Sequence, residues 1–354
     1  MSARRRFVHV FATFGRGGPQ VRAVQLMQHL GDEVEHVVQA MDGNTDAREL
    51  LPAASSVTFA APPPRGSFFA TRKVQAAWLG AQRPDLVLTY NWGAIESVAA
   101  ARRSRLPLVH HEDGFGPEEV ERRLRRRNWM RRWLLRSVPV VVPSTGLQQI
   151  ARREWGVTAQ HLVNGVDLER FAPAPEERQP LVVGTVGGLR PEKDYAVLLQ
   201  AVASMQREVR LVLVGGGALE AQLRAEAERL SLAERVEFCG FTNDTAPHYR
   251  TFSVFAMSSR TEQMPIALVE AMASGLPVAA TDVGDIRAVV SEPNQDLIVP
   301  PRDPRALAMA LDRLGADREL RARLGAANRA VAERRYEAVR CLQRFCDVYR
   351  AAMR

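Results

Sequence analysis

The chain has 354 residues, 46% hydrophobic and 25% charged, which predicts two domains with their own cores and excludes general disorder. Its three scattered cysteines, Cys239, Cys341 and Cys346, exclude a disulfide framework, no Cys/His spacing suggests zinc, and a reducing compartment is the expected home. The net charge of +8 lies wholly in the first half: residues 1–172 carry 24 Lys+Arg against 16 Asp+Glu, and residues 173–354 carry 24 against 24.

Residues 1–14 have a basic start and a short apolar run, but the run contains His9 and reaches Gly15-Arg16-Gly17-Gly18 without a small-residue cleavage site. It reads as a first buried strand rather than a signal peptide. No stretch of eighteen apolar residues occurs, so no transmembrane helix is expected. Apolar runs then alternate with helical patterns: FVHVFATF and a helix over 20–30, VEHVVQA, DLVLTY and a helix over 94–103, LPLVHH and a helix over 117–136, and VPVVVP. After the proline-punctuated link APAPEERQP the alternation restarts with LVVGTVG, VRLVLVG, RVEFCGF, SVFAMSS and LPVAAT, and 331–354 reads as a long terminal helix. Strands alternating with helices predict α/β architecture: two Rossmann-like doubly wound parallel-sheet domains facing across a cleft, with ligands at the C-terminal strand ends. The expected boundaries are 1–172, 173–332 and a C-terminal helix, 333–354, that packs back toward the first domain.

Much of the positive charge falls in the 117–136 helix, where Arg122, Arg123, Arg125, Arg126, Arg127, Arg131, Arg132 and Arg136 interleave with Leu124, Trp129, Met130, Trp133, Leu134 and Leu135. A basic amphipathic helix of this kind suits anionic lipid headgroups, with Arg126, Arg127, Trp129 and Trp133 as the membrane or acceptor face. A solvated arginine face over an ordinary core stripe fits equally well. No nucleic-acid-binding motif accompanies the charge, so no nucleic-acid partner is expected.

The turn Gly15-Arg16-Gly17-Gly18-Pro19-Gln20 lacks the last glycine of a dinucleotide fingerprint, which argues against an oxidoreductase. Gly17 and Gly18 still suit close approach to an anion or a sugar, or a tight turn alone. In the second half Val186-Gly187-Gly188-Leu189-Arg190-Pro191-Glu192-Lys193 ends a strand with two cations that can neutralise a diphosphate. Gly215-Gly216-Gly217 reads as a structural turn. In SRTEQMPIALVEAMASG, Glu262 and Glu270 stand eight positions apart around Pro265, which is pre-set for the first helical position. Glu262 then belongs to a loop and Glu270 to a helix whose free N–H groups favour an anion. Apolar neighbours around Glu270 imply that its carboxylate has partners.

Together GRGGPQVR, HLVNGVDLERF, VGGLRPEKD, LVGGGALEAQL and TEQMPIALVEAMASGLPVAATDVG resemble the retaining family 4 glycosyltransferases of GT-B fold across essentially the whole chain. The resemblance implies transfer of a sugar from a nucleotide diphosphate sugar, UDP- or GDP-linked, without a metal or other cofactor and with retention at the anomeric carbon. It places Glu262 by the donor sugar, Gln263, Met264, Pro265 and Ile266 against sugar and phosphate, Glu270 on the ribose hydroxyls, and Lys193 on the leaving diphosphate. The departing β-phosphate then serves as the base that takes the acceptor's proton.

Two departures from the family pattern stand out. The arginine usual after the first glycine is Gly188 here, which leaves Arg190 as its substitute. The polar contact to the donor sugar before Gly114 is Asp113 by register, or else His111. The implied acceptor is a saccharide or lipid-linked saccharide of surface polysaccharide or glycolipid synthesis, and the implied location is the cytoplasm, at the inner face of the cell membrane. A non-catalytic nucleotide-sugar-binding subunit and a GT-B sugar-nucleotide epimerase are the alternatives.

Overall fold

The computed structural model describes residues 4–52, 55–64, 66–115, 119, 123–174 and 180–354. They form two compact units, one of residues up to Asn164 together with Val339–Arg354, the other Gly165–Ala338. The first unit is built on a parallel sheet of β1 (Arg5–Phe11), β2 (Val34–Ala40), β3 (Val57–Ala60), β4 (Leu86–Tyr90), β5 (Leu108–His111), β6 (Val140–Val142) and β7 (Ala159–His161), in the order β3-β2-β1-β4-β5-β6-β7. Its helices are α1 (Gly18–Leu30), α2 (Phe68–Gln82), α3 (Ile95–Arg103), α4 (Arg125–Leu135) and α5 (Thr145–Ile150).

The second unit carries a parallel sheet of β8 (Val182–Val186), β9 (Arg210–Val214), β10 (Val236–Gly240), β11 (Val254–Met257), β12 (Val278–Thr281) and β13 (Ile298–Val299), in the order β10-β9-β8-β11-β12-β13. Around it lie α6 (Tyr195–Ser204), α7 (Glu220–Arg229), α8 (Ala246–Tyr249), α9 (Ile266–Ala273), α10 (Ile286–Val289), α11 (Pro304–Ala316) and α12 (Arg318–Arg335). The last helix, α13 (Ala338–Ala352), packs Leu342, Phe345, Cys346, Val348 and Tyr349 into the core of the first unit.

The central strands are near-continuous Val/Leu/Phe runs because helices cover both faces of a parallel sheet. Strand order reverses at β1/β4 in one sheet and at β8/β11 in the other, the positions at which open α/β sheets place their ligand sites.

Several expectations need correction. The boundary lies at Asn164/Gly165 rather than 172/173, because Val166 pairs with the far end of the second unit. Its N–H donates to Tyr336 O (2.8 Å) and its carbonyl accepts from Ala338 N (3.0 Å). That bridge also breaks the long helix expected over 331–354 into α12 and α13. Strands β3, β7 and β13 and helix α2 are additional elements; α2 buries Thr71, Gln75 and Leu79, a mostly polar stripe that hides its periodicity. The expected helix over 117–136 is helical from Arg125, while Pro117 and Arg122, like Gly116 and residues 175–179 of the APAPEERQP link, lie outside the described residues.

Candidate active site

At the β8/β11 switch point the two departing loops are stitched together. Arg260 N donates to Glu192 O (2.8 Å), and Ser258 Oγ donates to Lys193 O (2.9 Å). This brings Lys193 Nζ within 2.5 Å of Glu262 Oε1, which also accepts from Ser259 Oγ at 2.7 Å. Both side chains are mostly covered, so the pair is held in one geometry. Gly284 allows this approach: it lies at φ +57°, and a Cβ there would stand 2.2 Å from Glu262 O. The Gly215-Gly216-Gly217 turn is structural for the same reason. A Cβ at Gly215 would meet Gly187 O at 2.1 Å, and one at Gly217 would meet Leu189 O at 2.5 Å.

Gly188 and Arg190 belong together. A Cβ at Gly188 would lie 2.9 Å from Arg190 Nε, so the guanidinium crosses the glycine where a side chain at 188 would begin. Arg190 is half exposed and only loosely engaged by Glu192, at 3.5 Å. It remains a cation at the exit of β8.

Helix α9 begins one residue later than expected, with Pro265 as its N-cap in extended conformation (φ −70°, ψ 123°) and Ile266 as its first helical residue. Gln263 O accepts from Asp285 N (3.0 Å), and Met264 and Pro265 are buried, which fixes the approach to the helix. Glu270 lies on α9 as expected and is partly covered. Tyr249 Oη donates to its Oε2 at 2.8 Å, with Ala267 O also in range. Burial pushes the Glu270 carboxyl up to about 7, against the opposing pull of Tyr249, Arg170 and Thr245.

The first unit presents a second group. Gly17 is extended, at φ −174°, and its carbonyl accepts from Gln20 N (3.1 Å) and Val21 N (3.0 Å). Gly17 is close-packed, since a Cβ there would lie 2.9 Å from Gln20 Oε1, and Gly18 opens α1. From α1, Arg22 reaches the end of β5, where Nη1 and Nη2 donate to Asp113 Oδ1 (2.5 Å) and Oδ2 (2.9 Å). Burial alone would lower the Arg22 pKa, but Asp113 raises it, so the guanidinium is firmly charged.

His111 takes a different place from the expected one. It is fully buried, its ring stacked on Tyr90 at 4.7 Å, with Nε2 3.0 Å from Tyr349 Oη. Burial and the nearby Arg22 push its pKa well below the ordinary value, so it is a neutral core residue. Of the two candidate sugar contacts, His111 ends β5 inside the core and Asp113 follows in the loop that leaves the strand.

Helix α4 splits its arginines. Arg125, Arg126, Arg132 and Arg136 are exposed together with Trp129 (66%) and Trp133 (58%), whose rings stack at 6.5 Å. Arg127, expected on that face, turns inward to Glu119 (3.0 Å) and lies over Trp92. Arg131 is fully buried between Glu112 (3.0 Å) and Glu119 (3.3 Å) and is ringed by Trp92, Phe115 and Trp155. Burial alone would raise the Glu119 pKa, but hydrogen bonds from Arg131 and Arg127 hold it below the ordinary carboxylate value.

Arg22 was not singled out in the sequence, and Arg131 was read only as one of the arginines of the 117–136 helix, not as a buried one. The available signal was position: Arg22 stands four residues before buried Leu26 and Arg131 four before buried Leu135, and an arginine on a core stripe requires a buried partner. Among the described residues no group of three His, Cys, Asp or Glu side chains could hold a metal ion.

Comparison with known proteins adds to this geometry. Residues 16–170 match the model described as Glycosyltransferase Family 4, and residues 180–317 match the one described as Glycosyl transferases group 1. The chain is 30% identical over 285 residues to the GDP-mannose-dependent alpha-(1-6)-phosphatidylinositol monomannoside mannosyltransferase of Mycolicibacterium smegmatis, covering 72% of this chain and 71% of that protein. It is also 30% identical over 332 residues to the D-inositol 3-phosphate glycosyltransferase of Streptomyces bingchenggensis, covering 80% and 70%. Anabaena HepE, solved in complex with UDP and glucose, has the same fold, with a TM-score of 0.85 at 22% identity over 98% of this chain and 100% of that one. Sucrose-phosphate synthase from Thermosynechococcus elongatus superposes with a TM-score of 0.82 at 21% identity, over 98% and 99%.

Proposed function

Because the chain belongs to the family 4 glycosyltransferases of GT-B fold, we propose that it moves a sugar from a nucleoside diphosphate sugar to a saccharide or lipid-linked saccharide acceptor, with retention at the anomeric carbon. The observation that carries this reading is the Lys193–Glu262 pair at the β8/β11 switch point, with Glu262 four residues before the start of α9. Before the donor binds, Glu262 holds the Lys193 ammonium in place. The diphosphate then takes up that cation, the N–H groups at the start of α9 and Arg190, while Gln263, Met264, Pro265 and Ile266 line the approach.

Glu270 accepts the ribose hydroxyls, Asp113 contacts the donor sugar, and the Gly17–Gly18 backbone leaves room at its strand end. As the anomeric C–O bond to the diphosphate breaks, the β-phosphate gathers negative charge, which Lys193 stabilises. The same phosphate accepts the proton of the incoming hydroxyl. No protein nucleophile is required, and the protein's contribution is electrostatic and positional. The substrate is the nucleotide sugar itself, and the reading assigns no metal and no other cofactor.

A relative named for GDP-mannose dependence, and fold neighbours solved with UDP, support a donor carried on UDP or GDP. The exposed Trp129, Trp133 and arginines of α4 support a peripheral position on an anionic membrane, with the acceptor's lipid anchored in it and the enzyme on the cytoplasmic side. No helix among the described residues is long and apolar enough to cross a membrane.

The test is turnover of Lys193→Ala. Loss of one preorganised cation at a developing charge lowers kcat by about 100- to 1,000-fold, with melting temperature and nucleotide affinity retained far better than turnover. Near-normal turnover in a folded variant refutes the assignment. Incubation with nucleotide sugar alone separates the epimerase alternative, which yields an epimer without acceptor.

A further inference from the structure

We propose that Arg22 is a positioning residue for the transfer reaction, holding Asp113 at the exit of β5 and acting only through it. The proposal rests on the reading of Asp113 as the first unit's sugar contact. Arg22 and Asp113 are 2% and 6% exposed, and the guanidinium binds both carboxylate oxygens, at 2.5 and 2.9 Å. Nη1 also donates to Asn164 Oδ1 (3.2 Å), and the guanidinium lies over the Phe345 ring at 5.3 Å. The Asp113 backbone is fixed separately, its N–H donating to Asn91 Oδ1 at 2.7 Å. Main chain and carboxylate are thus both locked immediately before Gly114, which sits at φ +143°.

Three features mark this as more than a buried ion pair. A carboxylate offers about four lone-pair sites, and a bidentate arginine takes two, so Asp113 keeps acceptor capacity for a hydroxyl. Arg22 Nε is buried without a hydrogen-bond partner, so the guanidinium is oriented for Asp113 and Asn164 at the expense of its own satisfaction. Arg22 also stands about one turn into α1, whose first residue is Gly18. One rigid helix therefore sets both the glycine turn and the carboxylate.

The experiment compares Arg22→Lys, Arg22→Met, Asp113→Asn and the double variant Arg22→Lys/Asp113→Asn. Nucleotide release from UDP-glucose and GDP-mannose is measured in each, with melting temperature and calorimetric affinity for UDP and GDP. Lysine keeps the charge but loses the fork, so Arg22→Lys folds while kcat falls roughly 10- to 100-fold, in line with ångström-scale misplacement of a catalytic group. KM for the donor and nucleotide affinity stay within about two-fold, because the groups assigned to the nucleotide belong to the second unit. The double variant is no slower than Asp113→Asn, since both changes act on one group.

Wild-type kcat in Arg22→Lys with a slow Asp113→Asn overturns the proposal and leaves the reading of Asp113 intact. Multiplicative losses in the double variant overturn it as well. Full kcat in Asp113→Asn removes that reading and the proposal with it, as does a wild-type enzyme that releases nucleotide from neither donor. Arg22→Met strands a buried carboxylate; if it fails to fold, Arg22→Lys still decides the matter.

Discussion

Burial pushes the Glu270 carboxyl from the ordinary 4.5 up to about 7, with Tyr249, Arg170 and Thr245 opposing the shift. Between those values the folded protein holds a proton that the unfolded chain releases, so the contribution of Glu270 to stability falls as pH rises through that window. In the proposed ribose role, hydroxyls donate to the ionised form, so nucleotide binding would expel the proton. Affinity for the cognate nucleotide should rise with pH up to about 7 and then level off. Calorimetry near pH 6.5 in buffers of different ionisation enthalpy should show proton release for the wild type and none for Glu270→Gln; proton uptake by the wild type would contradict the ribose role. A second prediction concerns Gly284, whose φ of +57° and 2.2 Å Cβ approach to Glu262 O leave no room for a side chain. Gly284→Ala should lower stability by about 1–3 kcal/mol and displace the Glu262 loop, read as a lower melting temperature together with reduced turnover. Lys193, Glu262 and Glu270 were legible in the sequence because glycine and proline marked the turns that carry them. The Arg22–Asp113 pair was not, since it joins positions 91 residues apart.

Helix α4 shows what an element-level pattern can and cannot say. The alternation of arginine and tryptophan predicted an amphipathic helix, but both faces carry arginine, and only the buried Glu112 and Glu119 reveal which arginines turn inward. Two consequences can be separated. Arg131→Met would leave Glu112 without its arginine and Glu119 with Arg127 as its remaining cation, and should destabilise the first unit by about 3–5 kcal/mol, visible in chemical denaturation. Trp129→Ser/Trp133→Ser removes only exposed rings and should leave the melting temperature unchanged while weakening sedimentation with anionic vesicles. Wild-type binding to such vesicles should decline as salt rises. Equal binding to neutral vesicles, or none to either, would contradict the interfacial role. Helix α2 illustrates the opposite failure: Thr71 and Gln75 on its inner stripe carry no hydrophobic period. The break between α12 and α13 was equally silent, because its cause is a backbone bridge to Val166.

At the scale of the molecule, two parallel sheets repeat one topological device, a reversal of strand order beside the first strand of each sheet. In the second unit it gathers Lys193, Glu262 and the start of α9; in the first it sets the Gly17–Gly18 turn on one strand exit, with Asp113 two strands away. The alternation of apolar runs and helical patterns made this architecture readable, whereas the exact handover between units depended on Val166 pairing with Tyr336 and Ala338. The chain returns to the first unit only in α13, where Phe345 and Tyr349 pack against the His111 ring. In the proposed function the second unit is a nucleoside diphosphate site serving sugar transfer. The most direct test is calorimetric titration of the intact protein with UDP, GDP and ADP without added metal, in the wild type and in Glu270→Gln. Selective binding of UDP or GDP, weakened in the variant, is the expected result. Binding of none of the three, or equal affinity in both proteins, would contradict it.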